Sequence, residues 1–286
     1  MVGCVLAPLV PGGGRTVLAA ALLLTALPLA TLIGTRALGH YPGSFIRLVV
    51  FRPFWYAMFL VLLLTLASAA GALVGAPFGR AAEVGRVALL AMAALFVLSA
   101  AAGYAGSRRL DVRRFIATLP GLPAELDGLT IAQISDLHVG PHVSRAFMER
   151  VAHAVGEAVP ELVAVTGDLI DDFPADVEHY AEMFGSLSAP LGVYVIPGNH
   201  EVYAGWEAVG ARLERLPVRV LLNETAMVTR NGGRFAVAGT GDPAFGPGTG
   251  GDAAPDIDRT LASVAPGTFV LALSHNPALW PALAAR

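Results

Sequence analysis

The chain contains no lysine: all 19 of its basic residues are arginine. With its abundant alanine, glycine and proline, that bias reads as GC-rich coding and carries no mechanism. A single cysteine, Cys4, excludes an intrachain disulfide framework and a cysteine-rich zinc site. No apolar signal segment precedes it, so a lipidation site is not expected, and Cys4 reads as an inert thiol. Charge is scarce, at 14% of 286 residues against 55% hydrophobic, where a soluble domain carries about 25%. The formal net charge of −3 supplies no basic field, so no nucleic-acid partner is expected.

The apolar excess lies almost wholly before about residue 106. It forms three stretches, at about 16–38, 54–78 and 87–106, each long enough to cross a bilayer as a helix. A cleaved signal peptide fits the first poorly, because its apolar core is long and only Arg15 precedes it. Soluble core helices are seldom apolar on every face. No charged residue sits deep in any stretch, which excludes an intramembrane proton relay or ion path. Residues 1–115 therefore read as a membrane anchor in contact with lipids, not as a transporter. Phe54, Trp55 and Tyr56 suit an interfacial aromatic belt. With three spans, Arg15, Arg80 and Arg86 share one side. Arg36, Arg47, Arg52, Arg108, Arg109, Arg113 and Arg114 share the other, which is then cytoplasmic. The expectation is an integral protein of a bacterial cell membrane with residues 116–286 in the cytoplasm. The run Arg108–Arg114 reads as a stop-transfer signal in contact with anionic lipid.

After about residue 115 short apolar runs alternate with amphipathic segments. Strands are expected at Leu129–Ser135, in ELVAVTGD, in GVYVIPGN, in VRVLLN and in TFVLALSH. A hairpin should turn at Asn231-Gly232. Helices are expected after Ser144 and after Asp176 as N-caps, in AGWEAVGARLERL, and near Asp256–Val264. Such alternation implies an α/β fold, in which ligand groups collect beyond the carboxyl ends of strands. Four strands here end in metal-type side chains: Asp136 and His138, Asp168, Asn199 and His200, and His275. Singly, each has an ordinary explanation as a turn, cap or surface residue. Together they suit Mn, Fe or Zn. Asp136 and His138 are two apart, so on an extended strand they would share a face. Asp168 can bridge two ions about 3.5–4 Å apart, the spacing used in phosphoryl hydrolysis by metal-activated hydroxide.

The blocks SDLHVG, TGDLIDD, PGNHEVY and LSHNP resemble those of the calcineurin-like metallophosphoesterases, and most nearly their bacterial membrane-anchored subgroup. The resemblance runs from about Thr130 to the C-terminus. It implies a two-sheet β-sandwich flanked by helices, with a dinuclear site of two divalent ions. In it Asp136 and His138 hold the first ion, Asp168 bridges, and Asn199 and His275 hold the second. His200 faces the phosphate and leaving group, and Glu201 orients the neighbouring loop. The family pattern also has a later Gly-His-Thr-His block, absent before Arg286. The fold is thus expected to be incomplete at its C-terminus, and the chain as given to bind metal poorly.

Among the other groups, His153 and His179 read as surface residues and His142 as a possible cleft residue. Asp171 and Asp172 read as groups that cap or solvate the loop, with support of the site as the alternative for both. Asp242-Pro243 reads equally as a loop shaped near the site or as an ordinary turn. Gly246–Asp252 lacks the lysine of a phosphate-binding loop and reads as an ordinary loop. The expected function is phosphodiester, phosphomonoester or pyrophosphate hydrolysis by metal-activated hydroxide, with a lipid-linked substrate favoured by the anchor. The alternative is a non-catalytic membrane protein that binds a phosphorylated ligand or partner. The sequence carries no signal for an oligomeric state.

Overall fold

A computed structural model describes residues 26, 28–34, 37, 42–244 and 254–286. Most of the apolar stretch at 16–38, and all of Gly246–Asp252, lie outside these described residues. The chain divides into two compact units, Met1–Arg109 and Leu110–Arg286.

In the first unit, two helical segments are long and apolar enough to cross a membrane, Ser44–Phe78 and Ala81–Gly106. Their large side chains, among them Leu62, Leu66, Leu73, Leu90 and Leu98, are exposed. The first segment starts ten residues ahead of Phe54. Apolar counting stops at Arg52, but the backbone does not: a π-helical turn at Arg47–Phe51 leads into α1 (Arg52–Gly75). That turn admits Pro53, which has no N–H to donate. Helix α2 (Ala81–Gly106) returns through Gly79, at φ 67°. The helices meet through small residues. A Cβ on Gly71 would lie 2.7 Å from the Ala88 Cβ, and one on Gly75 would lie 2.6 Å from the Arg80 carbonyl oxygen. Close backbone approach through glycine is how helices associate where lipid supplies no hydrophobic drive.

The second unit contains a parallel sheet of β1 (Ile131–Ile134), β2 (Leu162–Thr166), β3 (Val193–Ile196) and β4 (Arg219–Val220), in that order. The crossovers carry α3 (Arg145–Glu157), α4 (Ala181–Ser186), α5 (Asn199–Ala204) and α6 (Trp206–Leu213). Strands laid down in sequence with right-handed crossovers put the connecting helices on one face. The other face is left for a second sheet, formed by β5 (Glu224–Arg230), β6 (Gly233–Gly239) and β7 (Val270–Leu273). There β5 and β6 are antiparallel and β7 is parallel to β6. Helix α7 (Ile257–Leu261) lies between β6 and β7 in sequence, and α8 (Trp280–Ala284) follows β7.

The two-residue period of the strands sorts their side chains into two cores. Val163, Val165, Val193 and Val195 face the helices with Met148, Val151, Val209 and Leu213. Leu162, Ala164, Tyr194 and Ile196 face the second sheet with Ala226, Val228, Phe235 and Val237. Strand β2 is buried along its whole length, which is why it reads as an unbroken apolar run. This is the expected α/β sandwich.

Local signals act as expected at several points. Ser144 caps α3 by accepting the Phe147 N–H at 3.2 Å, and Asp256 caps α7 by accepting the Arg259 N–H at 2.9 Å. Asn231 and Gly232 turn the hairpin at φ 51° and 85°. The helix expected from Asp176 differs. A 3₁₀ segment begins at Pro174 and α4 follows it, with Asp176 buried in the first turn. Pro174 has a preset φ and no N–H to leave unsatisfied, so it starts the turn two residues early. The strand in VRVLLN shortens to two residues.

Candidate metal centre

The loops after β1 and β2 are joined by backbone bonds that extend the parallel ladder beyond the strands. The Asp136 N–H donates to the Gly167 carbonyl (3.2 Å), the His138 N–H to Asp168 (3.0 Å), and the Val139 N–H to Leu169 (2.7 Å). Asp136, His138 and Asp168 all have positive φ, at 56°, 45° and 50°. The premise that Asp136 and His138 share a face as strand residues therefore fails. Strand β1 ends at Ile134, and a left-handed residue at each position turns the chain.

The two side chains enter different clusters. The carboxylates of Asp136 and Asp168 and an imidazole nitrogen of His275 lie within 4.8 Å of one another; so do donor atoms of His138, Asp171 and His200. Asp168 stands between the clusters and is only 4% exposed. Its Oδ1 is 3.5 Å from His275 Nε2, and its Oδ2 is 3.6 Å from His138 Nε2. Asn199 Oδ1 is 3.2 Å from His275 Nε2. The His138 and His200 rings meet edge to face at 4.4 Å. All six strand-end residues thus converge, with Asp136 beside His275 and His138 beside His200.

Glu201 fixes this arrangement. It is wholly buried, and its carboxylate accepts four backbone N–H groups: Asp168 (2.9 Å) and Gly198 (2.8 Å) at Oε2, Leu169 (2.8 Å) and Ile170 (3.1 Å) at Oε1. It binds the β2 loop to the β3 loop. Burial pushes its pKa up, the Gly198 and Ile170 amides oppose this, and the Asp168 charge adds to the rise. The Tyr180 hydroxyl donates to the Leu169 carbonyl and supports the same loop. The loops also need glycine where they touch. A Cβ on Gly198 would lie 2.3 Å from Asp168 Oδ1, and one on Gly167 would lie 2.9 Å from His275 Nδ1. Gly198→Ala must displace the Asp168 carboxylate. A shift of about 1 Å at such a group can cost about 10²-fold in rate. Steady-state kinetics of that variant is expected to show such a loss; wild-type turnover would contradict the geometry.

The imidazoles have assignable protons. His275 Nδ1 lies 2.9 Å from the Thr166 carbonyl oxygen, and His200 Nδ1 bonds the Asp171 carbonyl. A carbonyl only accepts, so each Nδ1 carries the hydrogen and each Nε2 presents its lone pair. His275 Nε2 then faces oxygens of Asn199 and Asp168, with the Asp136 carboxylate in the same cluster. A cation among the donors would complement lone pairs that converge on oxygens in this way. A histidine whose other nitrogen donates to a backbone carbonyl is the usual support of a metal ligand. In the second cluster His138 Nδ1 is buried without a hydrogen-bond partner. The donor set fits divalent ions.

Asp171 is the group the sequence undervalued. Its only local signal is its position three residues after Asp168, which a cap explains equally well. His153 pairs with Glu157 on the surface of α3, 3.3 Å away, and His179 and His142 are exposed. Asp242 is 1% exposed, and its Oδ1 accepts the Ala244 N–H at 2.8 Å, which is turn chemistry.

Similarity to known proteins agrees with this geometry. Over 168 residues the chain is 27% identical to an uncharacterized metallophosphoesterase of Aquifex aeolicus, covering 59% of this chain and 62% of that one. A transmembrane protein with metallophosphoesterase domain from Danio rerio is 34% identical over 113 residues, 38% of this chain and 25% of its own length. The UDP-2,3-diacylglucosamine pyrophosphatase of Chlamydia trachomatis is 35% identical over 96 residues, 32% of this chain and 28% of that protein. The chain thus spans between a quarter and about three fifths of these relatives. The model of the family described as calcineurin-like phosphoesterase matches residues 129–281, more than half of the chain, from just before β1 to just past β7. With Asp168 between two clusters of metal-type donors at the strand ends it covers, the chain belongs to the calcineurin-like phosphoesterase family.

Proposed function

We propose that this protein is a membrane-anchored phosphoesterase that uses two divalent ions, Mn, Fe or Zn, to hydrolyse a phosphoester or pyrophosphate bond of a lipid-linked substrate. With three spans, the arginine bias would set its second unit on the cytoplasmic side of a bacterial cell membrane. The observation that carries the reading is the buried Asp168 carboxylate, with one oxygen toward His275 and the other toward His138. In this proposal Asp136, Asn199 and His275 complete the set around Asp168 Oδ1, and His138 stands at Oδ2. Bound there, divalent ions supply Lewis-acid polarisation of the phosphoryl oxygens and a lowered pKa for attacking water.

The chain's own groups do the rest. Asp168 Oδ1 also accepts the His200 N–H at 3.0 Å, which fixes the start of α5 against the centre. The Asp171 carbonyl holds Nδ1–H of His200, so the ring offers Nε2 to the substrate. In this role Nε2 would take up a proton from solvent and pass it to the leaving oxygen. The two apolar helices keep the enzyme at a bilayer, and the Chlamydia relative is named for a diacylated sugar pyrophosphate; both support a lipid-linked substrate.

The test uses the full gene product in detergent. Elemental analysis is expected to give about two divalent ions per chain. Chelation should remove activity and Mn or Zn restore it. Hydrolysis of a diacylated sugar pyrophosphate should exceed that of soluble nucleotides. A protein that binds the phosphorylated lipid but never turns it over, with or without added metal, would sink the enzyme reading. Preference for soluble nucleotides would remove only the lipid-linked substrate.

A further inference from the structure

Leu110 packs on the helix-side core of the second unit, and Leu122 packs on the core between the sheets. Between them Asp111–Leu119 forms neither helix nor strand. Its large apolar side chains are exposed: Val112 58%, Phe115 85%, Ile116 98% and Leu119 47%. Those four residues stand at i, i+3, i+4 and i+7, one stripe of an α-helix about 100° wide. Arg113, Arg114 and Thr118 fall outside the stripe, and Pro120 marks a helix stop. The pattern is helical, yet nine residues are too few to hold a helix alone in water. Such a stripe folds where an apolar phase lies against it.

Covalent geometry brings a bilayer within reach. Leu110 is four residues beyond Gly106, the end of α2, which is about 14 Å of extended chain. The Arg108 guanidinium lies over the Tyr104 ring, 4.2 Å from its centroid, the pairing of an interfacial aromatic with an arginine that reaches for headgroups. From Arg108 to Leu119 there are four arginines against one aspartate, a charge that anionic lipid attracts.

We infer that Asp111–Leu119 folds as an amphipathic helix in the headgroup region of an anionic bilayer, with Val112, Phe115, Ile116 and Leu119 toward the acyl chains. The inference rests on α2 crossing that bilayer and on nothing at the metal centre. It is tested on the full gene product in a Cys4→Ser background, with single cysteines from Val112→Cys to Leu119→Cys carrying an environment-sensitive fluorophore. Vesicles are phosphatidylcholine, with or without phosphatidylglycerol. With phosphatidylglycerol, lipid-borne quencher is expected to reach positions 112, 115, 116 and 119, and aqueous iodide positions 113, 114, 117 and 118. Arg113→Gln and Arg114→Gln should each lower the docked-to-free ratio about fivefold. A profile without the helical period overturns the proposal, and so does one indifferent to phosphatidylglycerol. A Leu95→Cys label within α2 separates two failures. If it meets lipid and the stripe does not, only this inference falls; if neither meets lipid, the membrane-spanning reading falls with it.

Discussion

Asp168→Asn is expected to leave the fold intact and to lower turnover by at least about 10²–10³-fold, the range for removing one preorganised electrostatic group. Asparagine keeps the size of aspartate and tolerates the left-handed backbone found here at φ 50°. It also keeps an oxygen for the His200 N–H, now held at 3.0 Å. What it removes is the charge, and with it one of two equivalent acceptor oxygens between the His275 and His138 clusters. Metal content should fall by at least one ion per chain, while the thermal midpoint stays within a few degrees of wild type. Elemental analysis alongside initial rates reads both effects. A fully active variant with unchanged metal content would remove Asp168 from the centre and, with it, the proposed mechanism.

Glu201→Gln is expected to act in the opposite sense, on stability first and on rate through it. Each Glu201 oxygen accepts two backbone amides. Glutamine can serve one pair through its oxygen, but its NH₂ group then confronts the other pair, donor against donor. Leaving a buried donor unsatisfied costs about 1–3 kcal/mol, so two together cost roughly 2–6 kcal/mol. A loss near 3 kcal/mol lowers the midpoint by roughly 6–12 °C in a unit of this size. The β2 and β3 loops carry Asp168 and His200, so metal affinity should fall even at temperatures where the variant is folded. Thermal unfolding in detergent, with and without added metal, separates the two effects. A midpoint equal to wild type would show that Glu201 does not clamp these loops.

Much of the site was legible along the chain because strand ends are local features. Short apolar runs give the strands, and the polar residue after each run marks its carboxyl end. The cap at Ser144 and the turn at Asn231-Gly232 follow from one or two residues each. The helix start expected at Asp176 gives way to Pro174, two residues earlier, whose local preference for that position is stronger. Asp171 could not be ranked above a cap, because what distinguishes it is proximity to His138 and His200, far away in sequence. The first helical segment was cut short because arginine counts against lipid in composition but not against helix in backbone geometry.

By itself the sequence determined the two-part organisation into apolar helices and an α/β unit, the identity of the groups at the strand ends, and the family. Those depend on residue type and short-range spacing. Only the tertiary structure decided that Asp136 joins His275 while His138 joins His200. That partition arises from left-handed residues after β1, a backbone ladder running past the ends of β1 and β2, and a buried carboxylate that ties the β2 loop to the β3 loop. Each is a contact between segments remote in the chain, whose closeness is set by packing two sheets and a helical layer together and by no local preference of the residues themselves.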